Sequence, residues 1–113
     1  MTLDRVGTAL ESYMDLLSAR QKTVAGNLAN ADTPGYQTRD IAFQSDLESL
    51  VRGGDPVEVE VAGLRAKNDG NNVSVDRESR LLAENALRFS MSSALVRMEL
   101  RTLRSAIQEG RGA

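Results

Sequence analysis

Eight positions near the C-terminus constrain this chain most. Leu82, Phe89, Val96 and Leu103 recur every seven residues, and Ala86, Ser93, Leu100 and Ile107 recur at the same interval, four residues behind them. Side chains spaced in this way line one stripe of an α-helix. A stripe held over close to four heptads is the pattern of a helix that packs against other helices. Only Ser93 in it is polar. Leu81, Met91, Leu95 and Met98 lie off the stripe and ask for additional helices around this one. The spacing predicts a helix over 76–113, with Asp76 as its N-cap, Glu78 near the positive end of its dipole and Gly110 and Gly112 at its end.

A second helical pattern runs from Leu3 to about Asn30. Leu3, Leu10, Leu17 and Val24 fall seven apart, Val6 and Tyr13 take the intermediate positions, and Met14 and Leu28 widen the stripe. Arg20 and Asn27 stand where Val6 and Tyr13 would recur, so this seam degrades towards its end. At about 1.5 Å per residue the segment is roughly 40 Å long. One reading is an amphipathic helix packing on its own domain; the sharper one is a coiled-coil arm.

Between the helices the chemistry changes. Asn27-Leu-Ala-Asn30-Ala-Asp32-Thr33-Pro34-Gly35-Tyr36 is a helix stop: asparagines compete for backbone groups, Pro34 biases Thr33 away from helix, and Pro34-Gly35 marks a turn. Residues 36–52 read as a loop with a helical turn or two, docked through Ile41, Phe43, Leu47, Leu50 and Val51. Gly53-Gly54-Asp55-Pro56 is a break. Val57-Glu-Val-Glu-Val61 alternates like a half-buried strand, and Val73-Ser-Val75, after the turn residues Asp69-Gly-Asn-Asn72, is placed to pair with it as a small hairpin. The resulting fold class is mainly α: long N- and C-terminal helices packing as a coiled-coil-like helical hairpin, with a short irregular or β middle segment. It is a single domain divided as residues 1–36 (helix plus turn), 37–75 (middle) and 76–113 (C-terminal helix).

Composition excludes several functions. The chain has 113 residues, no Cys and no His, which removes disulfides, the usual zinc, copper and haem ligand sets, and most general-base chemistry. Neither catalytic, metal nor cofactor-binding residues are expected. Glu58 and Glu60 read as a solvated strand edge rather than a catalytic pair, and no glycine run has phosphate-loop spacing. A net charge of −2 argues against nucleic acid as partner. No apolar run reaches the length of a membrane span, and the N-terminus carries no cleavable signal pattern. Charge is uneven: residues 40–60 carry six acids against Arg52, whereas residues 77–111 carry seven arginines against four glutamates. Such asymmetry is ordinarily solvated surface; the sharper reading is ordering of neighbouring copies, acidic face to basic face.

The ten residues Asn27–Tyr36 resemble the N-terminal signature of the axial proteins of the bacterial flagellum, the rod and hook family. Asp69-Gly70-Asn71-Asn72-Val73, followed by Asp76, Glu78 and Asn85, is similar to the segment that introduces the C-terminal helix of the proximal rod member of that family. Leu103-Arg-Ser-Ala-Ile107 with Gly110-Arg111 fits it too. The resemblance covers residues 3–40 and 69–111 and leaves the middle uncovered. It implies a structural subunit of the proximal rod of the basal body, exported unfolded through the flagellar type III apparatus without signal cleavage and assembled helically as a drive shaft crossing the periplasm. Its partners would be other copies, other rod subunits, and the adaptor protein and export gate at the rod base.

On that basis Asn27, Asn30, Asp32, Thr33, Pro34, Gly35 and Tyr36 carry over as the signature turn. The two seams (Leu3, Val6, Leu10, Tyr13, Leu17 and Val24; Leu82, Ala86, Phe89, Val96, Leu100, Leu103 and Ile107) carry over as subunit packing. The competing readings are another subunit of the rod family, a soluble self-associating helical adaptor or regulator, and, more weakly, a phosphate-handling enzyme at the Thr33-Pro34-Gly35 turn.

Overall fold

The computed structural model describes residues 2–112, and the side chains of residues 5–50 and 52–110. Helix α1 spans Thr2–Ala29, strand β1 Arg39–Ile41, helix α2 Phe43–Val51, strand β2 Glu58–Glu60 and helix α3 Val75–Gly112. The architecture is mainly α: two long terminal helices and a middle region with a two-stranded antiparallel ribbon. The molecule is a rod of 72 × 25 × 17 Å.

Helices α1 and α3 run antiparallel. Asn27 near the end of α1 meets Glu78 in the first turns of α3, and Gln21 donates to the Leu82 carbonyl at 3.5 Å. Further along, a Cβ placed on Gly7 would lie 3.3 Å from a Glu99 carboxylate oxygen. Because α3 has 38 residues and α1 has 28, its last turns run on beyond α1, and residues 100–110 are all exposed.

Helix α1 is covered on two sides, by α3 and by the middle segment. Leu16, Leu17 and Val24 are therefore its fully enclosed apolar residues, each stabilising the fold by about 1.5–3 kcal/mol through burial. The middle segment lies along α1 through specific contacts. Phe43 at the start of α2 presents its ring edge-on to Tyr13, with centroids 5.7 Å apart at 85°, and the Arg20 guanidinium sits 5.7 Å from the same ring. Arg20 also holds Asp40 of β1 through two bonds of 2.9 Å, a bidentate geometry that fixes orientation as well as charge. Residues 36–52 are thus more ordered than a loop: a strand, then nine residues of helix. Ile41 is buried, Leu47 and Leu50 are half-buried, and the side chain of Val51 lies outside those described.

The hairpin expected between Val57–Val61 and Val73–Val75 does not form. Strand β2 pairs instead with β1, with Arg39 opposite Glu60, Asp40 opposite Val59 and Ile41 opposite Glu58, and Val61 N–H donates to the Thr38 carbonyl at 3.0 Å. The physical reason lies in the partners of each segment. β1 is anchored to α1 and presents a free edge, whereas Val73 N–H is already taken by the Asn71 side chain and Val75 begins α3. Nor is β2 half-buried: all three of its residues are exposed, as is Val57, and Glu58 reaches back to accept from Thr23 Oγ1 at 2.8 Å.

The N-cap of α3 is Ser74, whose Oγ accepts from the Arg77 N–H at 3.2 Å, rather than Asp76. Asp76 lies exposed in the first turn, 3.4 Å from Arg80. Ser and Asp are equivalent as caps, so the boundary moved by two residues without a change in chemistry.

Candidate functional site

The signature turn is built around Asn27. It is fully buried, and all four of its amide positions are used: Nδ2 donates to the Arg39 carbonyl at 2.7 Å and to Glu78 Oε2 at 3.0 Å, while Oδ1 accepts from Tyr36 Oη and Arg39 N–H, both at 3.1 Å. An asparagine offers two donors and two lone pairs, and here none is left over. One side chain at the end of α1 thereby fixes β1, the turn and the start of α3. Glu78, also fully buried, receives Arg77 at 2.6 Å as well as Asn27; Arg77 reaches Asp40 at 3.4 Å, and Asp40 is held by Arg20. A continuous polar network therefore crosses α1, β1 and α3 under the turn. Glu78 acts through burial and pairing rather than through the helix dipole alone.

Asn30 acts locally. Its Nδ2 donates back to the Gly26 carbonyl at 2.8 Å, and its Oδ1 accepts from Thr33 Oγ1 at 3.0 Å, closing the end of α1. Asp32, Thr33, Pro34 and Gly35 are exposed, and Tyr36 is half-buried. Gly35 has φ +75°, the left-handed region, and its N–H donates to the Asp69 carbonyl at 2.9 Å. Gly70, with φ +86°, lies so close beneath it that an added Cβ would sit 3.4 Å from the Gly35 Cα.

The second sequence motif is the other half of the same site. Asn71, fully buried, donates to the carbonyls of Asn30 at 2.9 Å and Thr33 at 2.8 Å, and its Oδ1 accepts from Val73 N–H. Asn72 accepts from Thr38 N–H at 2.6 Å and donates to Gln37 Oε1 at 3.0 Å. The segment 67–73 thus clasps the turn through side chains that satisfy backbone groups, the role water would otherwise fill. Asn71 and Asn72 look in sequence like ordinary turn residues. The pointer to their role is the resemblance of the Asp69–Val73 run to a segment that introduces a C-terminal helix, which does not say what their side chains bond.

The seam residues are divided. Leu17 and Val24 are buried, Leu10 and Tyr13 half-buried and Val6 exposed, while Leu3 lies outside the described side chains. On α3, Leu82 and Val96 are half-buried, and Ala86, Phe89, Leu100, Leu103 and Ile107 are exposed, Leu100 to 56%. The line that α3 turns towards α1 runs one step round the helix from its apolar seam. Glu78 bonds Asn27, Asn85 lines a cleft with Leu17 and Gln21, Ser92 is 3% exposed and Glu99 lies over Gly7; these four are seven apart. Contact within the chain is therefore largely polar, and the apolar seam beside it stays open. Leu87, Met91, Leu95 and Met98 are 50–62% exposed on another face of the same helix.

Among the described residues no group of acidic side chains is arranged to hold a metal ion, and no helix is long and apolar enough to cross a membrane. The arrangement offers apolar surface on a rigid polar frame, which is a means of association.

Comparison with known proteins gives the same direction. A family model described as "Flagella basal body rod protein" matches residues 10–37, which hold most of α1 and the signature turn. The flagellar basal body rod protein FlgB of Escherichia coli strain K12 is 31% identical, with 96% of this chain and 99% of that protein aligned. The FlgB proteins of Salmonella typhimurium strain LT2 (32%, with 96% and 99% aligned) and of Borrelia hermsii (32%, with 70% and 78% aligned) are similar to it as well. The aligned span with the first two is 136 positions, more than the 113 residues here, so those relatives carry residues that this chain lacks. The similarity extends well beyond the signature to nearly the whole length, and the chain belongs to the FlgB family of flagellar basal body rod proteins.

Proposed function

We propose that this chain is a subunit of the proximal rod, exported through the flagellar type III apparatus without a cleaved signal and assembled helically into the drive shaft that crosses the periplasm. Its neighbours in this reading are other copies of itself, other rod subunits, and the adaptor protein and export gate at the base. The observation that carries the reading is the open surface of α3: Phe89, Leu100, Leu103 and Ile107 on its seam, and Leu87, Met91, Leu95 and Met98 elsewhere, are exposed on a helix that no part of the chain covers fully. Large apolar surface of this extent on a small chain marks an association face. The seam residues of both helices act as subunit packing. The signature residues Asn27, Asn30, Asp32, Thr33, Pro34, Gly35 and Tyr36 set the geometry in which those helices leave the turn. The role is structural rather than catalytic.

Electron microscopy of basal bodies from a strain deleted for this chain tests the reading. Loss of rod, hook and filament, restored by the gene supplied in trans, is the expected result; normal flagella would overturn it.

A further inference from the structure

Away from the turn, α1 and α3 meet in matched layers. Gly7, Met14 and Gln21 fall seven apart on α1, and Glu78, Asn85, Ser92 and Glu99 fall seven apart on α3. The helices are antiparallel, so the two rows run in step. Glu99 lies over Gly7, Gln21 and Asn85 line one cleft, Asn27 bonds Glu78, and the spacing brings Met14 opposite Ser92. The cleft, of about 310 Å³, has Leu17, Ala86 and Phe89 as its apolar walls. Asn85 is 2% exposed, and among the described residues neither its Nδ2 nor its Oδ1 has a hydrogen-bond partner. Gln21 is only partly engaged: Nε2 donates to the Leu82 carbonyl at 3.5 Å, while Oε1 is buried and unpartnered.

The atoms left over are complementary. Gln21 Oε1 accepts and Asn85 Nδ2 donates, and a buried amide without a partner costs more than a made bond returns. The cleft is polar and roomy enough for ordered water to complete the Asn85 Oδ1. The two amides face each other in one alignment alone. Sliding α3 by one heptad would set Asn85 against Met14 or Leu28, and Gln21 against Ser92 or Glu78. Asn85 would then be buried against an apolar side chain. A buried polar residue in a helix seam specifies register in this way, with some loss of stability.

We infer that Gln21 and Asn85 are the positioning pair of the α1–α3 hairpin, coupled amide to amide across the cleft. The Asn27–Glu78 contact anchors only the first turns of α3, and a single anchor leaves a helix of 38 residues free to swing and spin about it. A second polar layer, seven residues further on and about 10 Å along the axis, fixes the line that α3 follows. It also fixes which face turns inward. The Leu82–Phe89–Val96–Leu103 row is flanked on one side by Glu78, Asn85 and Ser92 and on the other by Ala86, Leu100 and Ile107. With Asn85 held against Gln21, the polar flank meets α1 and the apolar flank stays outside. The inference concerns the single chain and stands apart from the rod-subunit reading.

A double-mutant cycle in urea unfolding tests the coupling on the full-length chain. Gln21→Leu or Asn85→Leu alone strands the other amide and is expected to lower the folding equilibrium constant at least about fivefold. The two together are expected to return it to within about twofold of the natural value, because no buried amide is then left unpaired. Position is read separately. The chain has no Cys, so nitroxides at Arg5→Cys and Arg97→Cys, both exposed, report the separation of the helices by pulsed electron paramagnetic resonance. One narrow separation is expected in the natural chain, and a broadened or displaced one in the double-leucine variant. Should that variant lose helix by circular dichroism, the exchanged pair Gln21→Asn with Asn85→Gln carries both readouts. It is expected to be more stable than either of its halves and to restore the narrow separation. Leucine substitutions that each stabilise the chain, effects that simply add, an exchanged pair no better than its halves, or a separation that is the same in every variant would each overturn the inference.

Discussion

Asn27 joins three elements through one amide, and its replacement exposes what that costs. Asn27→Ala leaves the buried Glu78 and both backbone groups of Arg39 short of a partner, so it is expected to destabilise the chain by at least about 2 kcal/mol in urea unfolding. Asn30→Ala, which loses bonds at the exposed end of α1, is expected to cost less than about 1.5 kcal/mol in the same experiment. Gly35→Val places a β-branched residue at φ +75° and should cost about 1–3 kcal/mol, with Gly35→Asn milder because asparagine tolerates that region. Unfolding midpoints for Gly35→Val equal to the natural chain's would show that the turn relaxes freely. The turn itself was legible from Pro34-Gly35 and its asparagines. The partners of Asn27 were not, because a buried polar network is defined by residues 9 to 51 positions away that no local pattern connects.

At the scale of elements, periodicity located both long helices to within a residue or two, since a heptad sustained over many turns leaves little alternative. It identified the apolar seam of each helix and the off-seam apolar residues of α3, and missed the polar line by which α3 meets α1 and the second buried face of α1. Leu16 lies outside the α1 seam yet is fully buried, because the middle segment covers that second face. The short strands were misassigned in pairing for a related reason: three-residue strands take their partner from whatever edge is already anchored, and the anchor of β1 is Asn27. Two substitutions separate the folding face from the association face. Leu16→Ala should lose about 2–5 kcal/mol of stability. Leu100→Asp, at a residue 56% exposed, should leave the unfolding free energy of the free chain within about 0.5 kcal/mol of the natural one, yet abolish swimming in a complementation assay. Wild-type swimming by that variant would remove the α3 seam from the packing interface.

On the whole-molecule scale, the chain is a 72 Å rod with few enclosed apolar residues, and its longest helix extends beyond the body that supports it. Helices of this kind draw their stability from neighbours. The end of α3 past Leu100 is therefore expected to be cut first by trypsin in the dilute chain, at Arg101 and Arg104, and to be protected in isolated basal bodies. Equal resistance in both states would mean that α3 is self-sufficient. In the rod-subunit reading, the open faces of α3 are covered by neighbouring subunits on a frame held by the Asn27 clasp. Electron cryomicroscopy of the isolated rod measures this directly. The expected result is density for this chain in the rod with Met91, Leu95 and Leu100 enclosed by adjacent helices and the Asn27–Glu78 contact intact. A rod without this chain, or one in which α3 stands bare, would contradict it.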